Sequence, residues 1–268
     1  MTSTRKPAAR LPEATISEYD GVRSLHLGTI WIQGSMRIQR PDHIELEYVQ
    51  RMLAALLWLP VEQWSQGRAV QLGLGAAAIT RFTHKALRMQ TTAVELNPSV
   101  IALCRRSFRL PADGARLQVL AMDAADWVRD PAQQGSVQLL HVDLYDHEAA
   151  APVLDDAGFY AACRGVLAEG GVMGVNLFGR DARFEHSLAQ LVQAFGAEQV
   201  CPLRPTREGN RVVLAGHNVR LPDRAALLER AAQIESRWRR WGLPARKWLC
   251  MLRPLVPQPP SSVEPPPR

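Results

Sequence analysis

A chain of 268 residues, 47% of them hydrophobic, can build one large domain, or one domain with a small appendage, around a substantial core. No run approaches the roughly 20 apolar residues that span a bilayer, no apolar segment backs the basic start Met1–Arg10 as in a secretory signal, and Cys104, Cys163, Cys201 and Cys250 lack Cys-x-x-Cys or zinc-type spacing. The net charge of +6 is not gathered into a central stripe of basic and aromatic residues, so the expectation is a cytoplasmic protein with reduced thiols and no metal, membrane or nucleic-acid partner.

In chain order, residues 1–15 read as a disordered arm. From Tyr19 to Gln39, Val22, Leu25, Leu27, Ile30, Ile32 and Ile38 recur near period two, broken by Gly21, Gly28 and Gly34, which predicts a small antiparallel β element. A helix is expected from Asp42, whose side chain can cap it with Glu45 at capping-box spacing; Ile44, Val49, Met52, Leu53, Leu56 and Leu57 then follow helical spacing to Pro60. Residues 16–60 are thus an N-terminal β extension with a linking helix.

Over 61–220, strands expected at 69–73, 91–96, 116–121, 137–143 and 171–177 alternate with helices at 76–88, 98–108, 124–129 and 158–168, the last stopped by Gly170-Gly171. This alternation predicts an α/β fold, a doubly wound, mostly parallel sheet covered on both faces. A helix over 181–195 and a short strand at 211–215, paired with one near 198–202, complete it. A terminal helix over 224–241 lies in a C-terminal segment, 221–253, and the proline-rich tail 254–268 is expected to be disordered. Arg237-Trp238-Arg239-Arg240-Trp241, with Arg246-Lys247-Trp248, could meet nucleic acid or an anionic membrane surface; tryptophans packed inward with arginines outside is the preferred reading.

Three segments carry candidate chemistry. In Val70-Gln71-Leu72-Gly73-Leu74-Gly75 an apolar run feeds a glycine turn that opens into a helix, and about twenty residues on, Glu95 ends a second apolar run. Gly73 and Gly75 let the backbone approach a ligand, and Glu95 can accept hydrogen bonds from both hydroxyls of a ribose. Asp123 and Ala124 follow a third strand, where an acid can accept the exocyclic amine of adenine or simply cap a helix. Asp143 and Asp146 follow a fourth strand and could hold and deprotonate an amine; His141 and His147 flank them and are more often ordinary strand and loop positions.

These segments together resemble the spermidine synthase (polyamine aminopropyltransferase) family, a branch of the class I S-adenosylmethionine-type fold. The likeness runs through Trp31-Ile32-Gln33-Gly34, Glu47-Tyr48, the core from Val70 to Trp127, and Asp143 through Phe159-Tyr160 to Gly170-Gly171, covering roughly residues 19–215. It implies that Gln33 contacts the nucleoside substrate and that Tyr48 and Asp146 help hold substrate. Gly73, Gly75, Glu95, Asp123 and Ala124 would bind the nucleoside, and Asp143 would activate the attacking amine. It also implies a homodimer, and decarboxylated S-adenosylmethionine as co-substrate rather than a tightly bound cofactor. The chain departs from the family pattern where the acid of the glycine loop is Ala76, where Tyr-His-Glu is Tyr48-Val49-Gln50, and where the gate loop reads Asp143-Leu144-Tyr145-Asp146-His147. Each lost acid removes attraction for a cation. The alternatives are a methyltransferase using S-adenosylmethionine itself, a non-catalytic nucleoside-binding homologue, and a nucleic-acid module with a vestigial pocket.

Overall fold

The computed structural model describes residues 11–145, 154–178 and 181–256. Strands β1 (Ala14–Tyr19), β2 (Val22–Leu27) and β3 (Gly34–Arg37) form an antiparallel three-stranded sheet in that order. The first strand therefore begins inside the stretch expected to be an arm.

The expected helix from Asp42 is shorter and starts later. Helix α1 covers Glu47–Met52, Leu46 at its N-cap makes no side-chain cap bond, and a 3-10 turn, Leu53–Leu57, continues it. The capping box does not form because Glu45 is taken by Arg37 of β3, which donates to both carboxylate oxygens at 2.6 and 2.9 Å. That pair ties the small sheet to the start of α1.

The main domain alternates strand and helix: β4 (Arg68–Leu72), α2 (Ala78–Lys85), β5 (Gln90–Glu95), α3 (Pro98–Ser107), β6 (Leu117–Ala121), α4 (Ala124–Arg129), β7 (Val137–Val142) and α5 (Ala157–Val166). Then come β8 (Leu167–Phe178), α6 (Asp181–Phe195), β9 (Val200–Pro202) and β10 (Asn210–Gly216). The sheet order is β6-β5-β4-β7-β8-β10-β9. β4 through β8 pair in parallel, while β10 runs antiparallel to both β8 and β9. The chain winds outward from β4 to β6, then returns to the other side of β4 as β7. This reversal opens a crevice at the carboxyl ends of β4 and β7, where open α/β sheets bind ligands.

Gly170-Gly171 does not stop a helix. α5 already ends at Val166, and Gly170, with φ +74°, lies inside β8, whose register against β7 shifts between Val137 and Leu139. The expected terminal helix also divides into α7 (Arg224–Arg237), a 3-10 turn at Arg239–Trp241, and α8 (Ala245–Leu249). Trp238, Trp241 and Trp248 are buried in the core that also holds Trp64 and Phe82. Phe82 meets Trp238 and Trp241 edge-on at 5.3 and 5.1 Å. These tryptophans bind the C-terminal helices to the sheet and are not free to stack on bases. No helix among the described residues is long and apolar enough to cross a membrane.

Candidate active site

The site is built outward from the glycine turn after β4. Gly73 has φ +84°, and a Cβ there would lie 2.0 Å from the backbone oxygen of Asp143. The Asp143 amide donates to Leu72 O at 2.9 Å, so the ends of β4 and β7 are pressed together at this point. Gln71, buried in β4, braces the turn: its Nε2 donates to Gly73 O at 2.7 Å and its Oε1 accepts from Thr80 N at 2.9 Å and Thr80 Oγ1 at 2.6 Å. Gly73→Ala should therefore destabilise the fold by at least about 2 kcal/mol through left-handed strain and overpacking. Thermal unfolding checks this, with a melting temperature several degrees lower as the expected result.

The small N-terminal sheet covers the same turn. A Cβ on Gly34 would lie 2.4 Å from Ala76 N and 2.7 Å from Ala76 Cβ, and a Cβ on Gly75 would lie 2.9 Å from Gln33 O. Ala76 is packed in an apolar cluster with Leu25, Met36 and Leu74. A carboxylate at position 76 would enter that cluster, so the departure from the family pattern goes with the close approach of β3 to the turn.

Glu95, at the end of β5, accepts from Leu74 N through Oε2 and from Asn97 N through Oε1, each at 2.9 Å. Burial pushes its carboxyl up from the ordinary range, opposed by the Leu74, Asn97 and Leu96 amides. Asp123 is the N-cap of α4, its Oδ1 accepting from Ala125 N at 2.6 Å. The residue also lines the crevice.

Asp143 is held from two other elements. Asn176 Nδ2, from β8, donates to its Oδ1 at 2.9 Å, and the Tyr48 hydroxyl, from α1, donates to the same carboxylate. Burial raises its pKa from 3.8 to about 6, and those two hydrogen bonds hold it back from rising further. Tyr48 is pushed well above its ordinary value, by burial first and then by the Asp143 charge. Tyr145 donates to Asn176 O at 3.1 Å. His141, in β7, does not line the cavity; it is fully buried, and desolvation lowers its pKa to about 3 and keeps the ring neutral. Asp146 and His147 lie outside the described residues.

One cavity of about 650 Å³ gathers these groups: Gln33, Tyr48, Gly73, Gly75, Glu95, Asp123, Ala124 and Asp143 all line it. Its walls also carry Glu45, Glu47, Glu208, Asn176 and Asn210, which sequence reasoning did not single out. Glu45 read as a helix cap, Glu47 entered only through the motif around Tyr48, and Asn176 sits as one polar residue in the apolar run of β8, a signal that could have found it. Gln50 does not face the cavity; its Nε2 donates to Ile44 O at 2.7 Å. The described lining residues include six carboxylates and no Lys, Arg or His, in a chain whose net charge is +6. Glu45 and Glu47 are each paired with an arginine outside the lining, Arg37 at 2.6 Å and Arg51 at 2.5 Å.

No family model matches the chain. It is 32% identical over 236 residues to a polyamine aminopropyltransferase of Chromobacterium violaceum, spanning 87% of this chain and 88% of that one. It is 30% identical over 212 residues to a polyamine aminopropyltransferase of Neisseria meningitidis, with 79% and 78% covered. Among solved structures it is similar to a probable spermidine synthase from Corynebacterium glutamicum (TM-score 0.69, 18% identity, 89% and 90% covered). It is also similar to human methyltransferase-like protein 13 in complex with SAH (TM-score 0.64, 23% identity, 73% and 93% covered). The structural likenesses establish the class I S-adenosylmethionine-type fold. The sequence identity, sustained over most of both chains, goes further: this chain belongs to the polyamine aminopropyltransferase family.

Proposed function

We propose that the cavity binds decarboxylated S-adenosylmethionine beside an amine and transfers the aminopropyl group from sulfur to nitrogen. The observation that carries this reading is the cavity's charge: carboxylates without a single basic side chain among its described lining, inside a basic protein. Such a site attracts a sulfonium and ammonium groups and disfavours a ligand carrying its own carboxylate. S-adenosylmethionine has that carboxylate; its decarboxylated form does not.

In this reading Gly73 and Gly75 admit the sulfur nucleoside to the backbone, Glu95 takes the ribose hydroxyls, and Asp123 and Ala124 flank the adenine. Gln33 closes the nucleoside side from the N-terminal sheet. Asp143, which accepts a hydrogen bond from Tyr48, takes a proton from the substrate ammonium, freeing the nitrogen lone pair to attack the carbon beside the sulfonium. The carbon–sulfur bond breaks as the carbon–nitrogen bond forms, and methylthioadenosine leaves with the bonding electron pair. The sulfonium is already a good leaving group, so acceleration comes mainly from alignment and exclusion of water. Asp146 belongs to the same amine side by family resemblance. The reading includes a diffusible co-substrate, a cytoplasmic location and a homodimer.

Calorimetry tests the charge argument. Decarboxylated S-adenosylmethionine should bind at least about tenfold more tightly than S-adenosylmethionine, since one unfavourable charge contact of about 1.4 kcal/mol is a factor of ten. Tighter binding of the carboxylated form would favour methyl transfer instead.

A further inference from the structure

The Asp143 carboxylate is the end of a chain of side chains that begins on the antiparallel edge of the sheet. Asn210, the first residue of β10, donates from Nδ2 to Asn176 Oδ1 at 3.2 Å. Asn176 in turn donates from Nδ2 to Asp143 Oδ1 at 2.9 Å. Asn176 is buried, and its backbone is fixed twice over, by pairing with Val212 of β10 and by Tyr145 donating to its carbonyl at 3.1 Å. A buried amide has a donor end, which suits an ionised carboxylate, and an acceptor end, which suits only a protonated one. Asn210 favours the first: by donating to the oxygen it keeps the nitrogen, the donor end, toward the carboxylate.

We infer that Asn210 and Asn176 are positioning residues for the amine-activating carboxylate, with Asn210 setting the orientation of the Asn176 amide and Asn176 holding Asp143 ionised and aimed into the cavity. This rests on the reading of Asp143 given above, and extends it to two residues on β8 and β10 that do not need to touch the reacting atoms. The hydrogen bond that fixes one carboxylate oxygen leaves Tyr48 and the incoming amine to share the rest of the group. Other titratable groups face this region. Tyr48 comes from α1 and Tyr145 from the segment after β7. Glu45 and Glu47 come from the start of α1, Glu95 from the end of β5, Asp123 from the start of α4 and Glu208 from the turn before β10. Asp155 and Arg183 lie beyond Tyr145 and act on it. Of all these, Tyr48 alone donates to the Asp143 carboxylate, so the direct control of its ionisation is shared between Tyr48 and Asn176.

The test is a carboxyl-carbon NMR titration of Asp143 in the full chain, with the resonance assigned by its loss in Asp143→Asn. It does not depend on which amine the enzyme accepts. In Asn176→Leu, which keeps the branched shape and removes the donor, the midpoint should rise by about one pH unit or more, the size of a hydrogen bond to a charged group. In Asn210→Leu the amide of Asn176 loses the partner that orients it, and the midpoint should move in the same direction. If Asn176→Leu fails to fold, Asn210→Leu decides. Retained calorimetric binding of methylthioadenosine shows that the nucleoside side is intact. A midpoint unchanged in Asn210→Leu, or in both variants, would overturn the inference: a purely structural role lowers the melting temperature at every pH without moving the titration. The failure of the underlying reading is separate. It would show as wild-type turnover in Asp143→Asn, whatever the asparagine variants do.

Discussion

Asp143→Asn is expected to abolish most turnover and at the same time to stabilise the protein at neutral and alkaline pH. General-base help of this type contributes about 10²- to 10⁴-fold, so kcat should fall at least a hundredfold, with nucleoside affinity preserved because Glu95, Asp123 and the glycine turn are untouched. The stability effect follows from burial. The folded protein binds the Asp143 proton more tightly than the unfolded chain does, with a pKa of about 6 in place of 3.8. This group's contribution is therefore most favourable below pH 3.8, is lost as pH rises through 6, and stays lost above it. The shift corresponds to at most about 3 kcal/mol, and an asparagine, uncharged throughout, escapes it. An asparagine can still accept from Asn176 through its carbonyl oxygen. Thermal unfolding at pH 8 should show a higher melting temperature in the variant, with the difference shrinking toward pH 4. In the wild type, activity should rise with pH through a limb near 6, as the base loses its proton. A variant with wild-type rate removes the catalytic role; one with unchanged stability at pH 8 removes the account of the raised pKa.

Glu95→Ala should lose nucleoside binding almost entirely. Two hydrogen bonds from ribose hydroxyls to a carboxylate, at about 1.5–3 kcal/mol each, correspond to roughly a hundred- to ten-thousandfold in affinity for methylthioadenosine. The same carboxylate holds Leu74 N and Asn97 N, so the substitution also loosens the glycine turn and the start of α3. Glu95→Gln separates the two effects. It keeps the size of the side chain but has one acceptor oxygen where two are used, so it should show an intermediate loss of affinity with a smaller loss of melting temperature. Unchanged calorimetric affinity in Glu95→Ala would dismiss the ribose role.

What could be read from sequence was what local pattern specifies. The alternation of apolar strands with helical periods gave the parallel sheet, and the distance from Gly73 to Glu95 placed an acid at the neighbouring strand end, because β5 pairs with β4 in register. The inward packing of Trp238, Trp241 and Trp248 was legible for a similar reason: large apolar rings on a terminal helix need a core to cover them. Other features depended on pairings no local pattern reports. Glu45 satisfied every local requirement of a helix cap, yet Arg37 of β3 claims it, and α1 starts later as a result. Asn176 lies 33 residues after Asp143 and 34 before Asn210, and only the β7-β8-β10 order brings the three together. Ala76 read as a lost acid; the contact with Gly34 shows a turn closed against a side chain of that size. The count of lost acids also missed Glu45, Glu47 and Glu208, which reach the same cavity from other segments.

The central claim is that this acid-lined cavity moves an aminopropyl group. The most direct measurement incubates the purified chain with decarboxylated S-adenosylmethionine and a short aliphatic diamine, and identifies the products by mass spectrometry. The account predicts an aminopropylated amine and methylthioadenosine in equal amounts, with no product from S-adenosylmethionine under the same conditions. A methylated acceptor formed from S-adenosylmethionine, or binding of the decarboxylated form with no aminopropylated product, would contradict it.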